Sequence, residues 1–258
     1  MLKFLRLGNE SAFLESTWVR RLGRRLLGHI GIGFAVKLWA LDGMLSVLPH
    51  KPCRVLDVGC DDGMYDFHML RRWPNIVIDG IDGSEEAICR AKKTAEMKNL
   101  DNIKFFKISF EEYQPERKYD LVLCLDSIYY SIDGMSFLRY ACQSLVDDGY
   151  IVFSSPRLKR HYGGSFGYYT GHVDIEHLDQ VFTKDNVIKV MQEEGLHVLT
   201  CKNYPSFFAR ALLEVQRSHS SFTRCLYPLF IIAAWFGRNG SESNASHYMI
   251  MARFNVHE

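Results

Sequence analysis

Short apolar runs recur along the chain, at 54–58, 75–81, 103–108, 119–125, 149–154, 196–201 and 248–254, and segments of a different rhythm separate them. A run of five to eight apolar residues bounded by turn residues is the mark of a strand buried on both faces. Between the runs, apolar residues stand three and four apart. Phe67, Leu70 and Trp73 mark a helix over 64–73, and further helices are predicted over 84–98, 135–145 and 182–194. Ser84 followed by Glu85 and Glu86 supplies a capping hydroxyl and first-turn carboxylates for the second of these. Strands alternating with helices predict a parallel, doubly wound α/β sheet.

One junction carries the chemistry. Val55-Leu56-Asp57-Val58 breaks into Gly59-Cys60-Asp61-Asp62-Gly63 before the helix, so the backbone reverses where two glycines let a ligand come close. The next run ends in Asp82-Gly83-Ser84, and Asp82 lies 25 positions beyond Asp57 (82 − 57). An acid at the tip of the second strand of a βαβ unit is placed to hold ribose hydroxyls, which predicts a nucleoside cofactor. A dinucleotide loop turns its helix N-terminus towards a pyrophosphate. Here the loop contains Asp61 and Asp62, which repel a pyrophosphate and suit a cofactor with a cationic centre. A nicotinamide or flavin site and an unliganded βαβ turn are the alternatives.

These residues resemble the class I S-adenosylmethionine-dependent methyltransferases, whose first motif follows a strand as D-x-G-C-G-x-G. The likeness runs over about residues 50–155 and again over the last strand, with Asp61 standing where the family has its middle glycine. It implies a Rossmann-like seven-stranded sheet with an N-terminal helical extension and a helical insertion before the last strand. The expected organisation is an N-terminal helical cap over 1–50, a cofactor-binding core over 51–203 with an active-site cover at about 157–176, an insertion over 204–245 and the last core strand in 246–258. The resemblance also implies S-adenosyl-L-methionine as cofactor, with Asp57, Gly59, Cys60 and Gly63 around its methionine end and Asp82 on the ribose. Gly83, Ser84, Ser109 and Phe110 would line the adenine, and Leu125 and Asp126 would close the site at the fourth strand. Ser109 replaces the acid that many relatives carry near the third strand's end.

Asp126-Ser127-Ile128-Tyr129 lacks the two prolines of the D/N-P-P-Y/F motif found in enzymes that methylate nucleic-acid bases, and the formal net charge is only +1. Nucleic acid is therefore not the expected partner. A small-molecule acceptor is expected, methylated most often at oxygen, on a secondary-metabolite, quinone-like or lipid- or glycan-linked substrate. A protein that uses the bound cofactor for cyclisation or rearrangement, and an inactive binding protein, are the alternatives. His172 and His161, in the segment after the fifth strand, are candidates for a general base, and Tyr129 is a third catalytic candidate. Structural roles compete for each of these, and His172-x-Asp174-x-x-His177 is too loosely framed to predict a metal site.

A hydrophobic fraction of 47% with 24% charged residues describes an ordinary globular chain, and 258 residues can bury one substantial core. Seven scattered cysteines, without a C-x-x-C pair, predict free thiols and a reducing cytoplasmic location. Among them Cys60 reads as a packing residue before a nucleophile. Arg20, Arg21, Arg24 and Arg25 form a cationic face on a predicted front helix, and 226–236 is an apolar stretch. Both are compatible with helices packed on the core or with peripheral contact at the inner face of a membrane. Oligomeric state is not legible.

Overall fold

A computed structural model describes residues 32–128, 133–156, 183–204, 227–241, 245 and 247–254. Its elements are, in chain order, α1 (Ile32–Leu45), β1 (Arg54–Val58), α2 (Met64–Arg72), β2 (Val77–Asp82), α3 (Glu85–Met97), β3 (Ile103–Lys107), β4 (Tyr119–Leu125), α4 (Gly134–Gln143), β5 (Leu145–Pro156), α5 (Lys184–Glu193), β6 (Leu196–Tyr204), α6 (Tyr227–Phe236) and β7 (His247–Phe254).

The seven strands form one sheet in the order β3-β2-β1-β4-β5-β7-β6. Each interior strand buries both faces, and the two-residue period sorts its side chains between two cores. In β4, Leu121, Leu123 and Leu125 pack with residues of α1, α2 and α3, whereas Val122 and Cys124 pack with residues of α4 and α5 on the opposite side. This is why 119–125 reads as a continuous apolar run and not as an alternation. Helix ends follow local chemistry: Ser84 Oγ accepts from Ala87 N–H at the start of α3, and Asp133 and Thr183 cap α4 and α5 in the same way.

The sheet is seven-stranded, as the family resemblance implies, and it is mixed where strand–helix alternation by itself predicts parallel strands. β1 to β5 are parallel, but β7 runs antiparallel to both β5 and β6 and lies between them. Strand direction is set by how the chain returns to the sheet, and no apolar run records that. β5 and β6 also extend past the predicted bounds, because pairing with β7 continues to Pro156↔His247 and Tyr204↔His247.

From β1 the chain order proceeds outwards to β2 and β3 on one side and resumes with β4 on the other. The crevice at the carboxyl ends of β1 and β4 is therefore the topological switch point, where α/β sheets of this kind bind ligands. The insertion expected over 204–245 contains α6, which packs beside α1. The arginine face at 20–25 and the cover at 157–176 lie outside the described residues.

Candidate active site

The turn after β1 is built from three left-handed residues. Gly59 and Gly63 each have φ +79°, and Asp61 between them has φ +49°. A Cβ on Gly59 would lie 2.3 Å from the Ser127 Cβ, and one on Gly63 would lie 2.6 Å from the Phe105 ring. Both positions thus require glycine for space as well as for backbone freedom. Asp61 occupies the family's glycine position without abolishing the turn, since aspartate tolerates the left-handed region better than most residues do. Its amide is also held, donating to Asp82 Oδ2 at 3.0 Å. Gly59 N–H and Cys60 N–H donate to the Ile81 carbonyl at 2.8 and 3.1 Å, tying the turn to the tip of β2.

Asp82 therefore has a structural duty beside any ligand. Its Oδ1 accepts from Ser84 N–H at 2.8 Å while Oδ2 holds the loop. A carboxylate has about four acceptor sites, so the two backbone bonds leave capacity for ribose hydroxyls. Ser109 and Phe110 continue the wall beyond β3, with Phe110 edge-on to Phe137 at 4.7 Å between ring centres.

The resulting cleft has a volume of about 880 Å³. Nine of the eleven residues expected to bind the cofactor line it: Gly59, Cys60, Asp82, Gly83, Ser84, Ser109, Phe110, Leu125 and Asp126. Gly63 shapes the turn from behind. Asp57 is 1% exposed and stands behind the loop facing Asp66, which is fully buried on α2. Among the described residues neither carboxylate has a hydrogen-bond donor beside it. Burial, reinforced by the charge of Asp82, pushes Asp57 up to about 7, so that it favours its protonated form beside Asp66. Burial first, then Asp57, raises Asp66 as well.

Cys60 is 2% exposed, and burial together with Asp66 and Asp57 pushes its thiol well up. It is a packing residue of the loop and has no thiolate character. Tyr129, His161 and His172 lie outside the described residues, as do the aromatic side chains of 162–169.

Several wall residues escaped sequence reading. Lys37 on α1 pairs with Asp126, and Tyr65 on α2 lies beneath its ammonium at 5.7 Å. Ser154 Oγ donates to Asp126 Oδ1 at 2.7 Å, and His247 Nε2 is 4.0 Å from Oδ2. Burial alone would raise the Asp126 carboxyl, but Lys37 and His247 outweigh it and hold the group below its usual range. Burial drives His247 down to about 4, so its imidazole is neutral at pH 7. Arg90 on α3 reaches Glu86 at 2.8 Å and Asp61 at 3.7 Å on the other wall. Only Lys37 had a sequence signal, as one cation in an apolar helix. The others are adjacent only through strand order.

The charge balance tests which cofactor fits. Six acidic residues (Asp61, Asp62, Asp82, Glu86, Glu111 and Asp126) face two basic ones, Lys37 and Arg90. A sulfonium gains from this field and a pyrophosphate does not.

Residues 49–195, more than half of the chain, match the model of the family described as "Methyltransferase domain". The chain belongs to the class I S-adenosylmethionine-dependent methyltransferases. Within that class it is 36% identical over 104 residues to the ubiquinone biosynthesis O-methyltransferase of Acinetobacter baumannii, an alignment covering 40% of this chain and 43% of that protein. The chain thus spans less than half the length of the curated relatives it matches. Among solved structures, geranyl diphosphate C-methyltransferase from Streptomyces coelicolor superposes with a TM-score of 0.62 at 15% identity, covering 89% of this chain and 85% of that one. The 4+2 cyclase SpnF superposes with a TM-score of 0.60, again at 15% identity, covering 86% and 82%. At such identities the likeness is one of fold.

Proposed function

We propose that this chain transfers the methyl group of S-adenosylmethionine to a small-molecule acceptor, at an oxygen atom. The observation that carries the reading is the acidic cleft at the β1/β4 switch point, with Asp82 at the tip of β2 and the left-handed turn of Gly59 to Gly63 beside it. The quinone-type O-methyltransferase likeness over the core supports oxygen as the acceptor atom. When bound, the cofactor supplies an electrophilic methyl on a sulfonium. The chain's own task is to fix the ribose through Asp82, hold the methionine end over the Gly59 turn, and align an acceptor with water excluded. His172 and His161 are the candidates for taking the acceptor's proton, and Tyr129 is a third catalytic candidate.

Fold alone does not settle the reaction, as the cyclase of the same fold illustrates. Product mass does. A gain of one methyl group supports the proposal, and an isomer supports cofactor-assisted rearrangement. Calorimetry with S-adenosylhomocysteine tests the cofactor independently: Asp82→Ala should lower affinity by about 1.5–3 kcal/mol, the worth of hydrogen bonds to a charged group. Undiminished affinity, or preference for a dinucleotide, would sink the assignment.

A peripheral membrane location is a separate proposal. Among the described residues no helix is long and apolar enough to cross a membrane. Phe236 and Trp235, at the end of α6, are exposed large apolar residues. Co-sedimentation with anionic vesicles that is lost as salt rises would support peripheral contact, and no sedimentation at low salt would remove it.

A further inference from the structure

The cleft wall on the β2 side carries a contact that arises from this chain's departure from the family motif. Asp61 stands where relatives have a glycine, and its carboxylate lies 3.7 Å from the Arg90 guanidinium on α3. Through its other terminal nitrogen Arg90 reaches Glu86 at 2.8 Å, so its fork is divided between an acid of its own helix and one of the turn. All three residues line the cleft. Lys37, the other cation among the described lining residues, is paired with Asp126. Arg90 is therefore the cation that faces Asp61, Asp62, Asp82 and Glu86, and no motif in the sequence assigns it a role.

We infer that Arg90 is a positioning residue for the ribose site, holding the Asp61 carboxylate against α3 so that the Asp61 amide stays on Asp82 while its charge is kept away. The inference rests on the S-adenosylmethionine reading above and extends it to a pair outside the residues placed on the cofactor. Geometry supplies the first argument. The Asp61 N–H donates to Asp82 Oδ2 at 3.0 Å, and that bond fixes which acceptor sites of Asp82 are left for hydroxyls. The donor sits at φ +49°, a left-handed conformation that costs a non-glycine residue energy, and a tether at the far end of its side chain opposes its release.

Charge supplies the second. An amide within hydrogen-bond reach of Asp82 brings its own carboxylate into the same neighbourhood, with that of Asp62 beside it. Burial, Asp62 and Asp82 all raise the Asp61 carboxyl, and Arg90 opposes them. In open water the repulsion is modest, since the Asp61 side chain is 71% exposed. A nucleoside laid against Asp82 removes that water, and an acid without its counter-ion then costs far more. The pair thus acts in the bound state. A direct anion site is the competing role for Arg90, but both of its terminal nitrogens are engaged, and an anion would face the carboxylates of Asp61, Asp62, Asp82 and Glu86.

The test is a double-mutant cycle read by calorimetry. Asp61→Gly gives the turn the family's glycine, keeping the amide and removing the charge that Arg90 holds. Arg90→Gln should weaken S-adenosylhomocysteine by about three- to tenfold in the wild-type background and by less than about twofold in the Asp61→Gly background. 5′-Methylthioadenosine, which shares the ribose and lacks the amino-acid end, should lose as much. Arg90→Lys should recover most of the loss, because a 3.7 Å contact is one of charge and not a bidentate bond. The Arg90 and Asp61 side chains are 29% and 71% exposed, and thermal melting checks that each variant is folded. Equal losses in both backgrounds, a loss confined to S-adenosylhomocysteine, or no loss at all would each overturn the inference. Failure of both ligands to bind the wild-type protein would instead remove the cofactor reading beneath it.

Discussion

At the residue scale, the two buried carboxyls behind the turn make stability depend on pH. Asp57 keeps its proton in the folded protein up to about pH 7, whereas in the unfolded chain it releases it at the ordinary aspartate value near 4. The folded state therefore binds more protons across that interval. The pair's contribution is complete below about pH 4 and is lost as pH rises through 7. Asp66→Asn removes one of the two charges and keeps a donor for Asp57, so its unfolding midpoint should decline less than the wild type's between pH 5 and pH 8. The gap at pH 8 should be on the order of 1–2 kcal/mol. Denaturant titrations at the two pH values measure it, and parallel declines would show that Asp57 does not favour its protonated form. Asp57 could be read from the motif. Asp66 could not, because its position in α2 says nothing of what it faces until the turn folds back.

At the element scale, the turn after β1 and the cap of α3 were both legible, for different reasons. A left-handed glycine pressed against Ser127 leaves a mark that no other residue can leave. Gly59→Ala should cost about 1–3 kcal/mol of stability in backbone strain and displaced packing, and it should abolish binding of S-adenosylhomocysteine. Thermal melting with calorimetry checks both, and a variant that binds normally would show that the turn is not part of the site. Ser84 is milder. Its hydroxyl accepts one otherwise unpaired amide at the start of α3, so Ser84→Ala should cost about 1 kcal/mol by chemical denaturation. The boundaries of β5 and β6 were less legible, since pairing and not local preference sets them: their carboxyl-end residues pair with β7, and the start of β5 at Leu145 pairs with Tyr119 of β4.

At the scale of the whole molecule, β7 is the element on which the second half of the sheet depends. It pairs with β5 on one side and β6 on the other, and Tyr248, Met249, Ile250, Met251 and Ala252 are fully buried. Ending the chain after residue 246 would expose an edge of β5 and leave β6 without a partner. Unpaired apolar edges of this kind aggregate. The truncated protein is expected in the insoluble fraction, and a soluble, cooperatively melting product would show that β1 to β5 are stable alone. Lys37 likewise belongs to this scale, because α1 places it against a strand tip 89 positions further on (126 − 37).

Local preference and period determined much of this protein from its sequence. Apolar runs of strand length, helical spacing, a capping serine and the Gly59 to Gly63 turn followed by Asp82 specify an α/β sheet and a nucleoside cofactor, because each signal depends on residues adjacent in the chain. Tertiary structure alone decided the reversed direction of β7, the burial of Asp57 against Asp66, and the meeting of Lys37, Tyr65, Asp126, Ser154 and His247 at one end of the cleft. Those groups come from five different elements or their tips. Their contact is fixed by strand order and by which face each helix covers, and neither of these is encoded in the spacing of neighbouring residues.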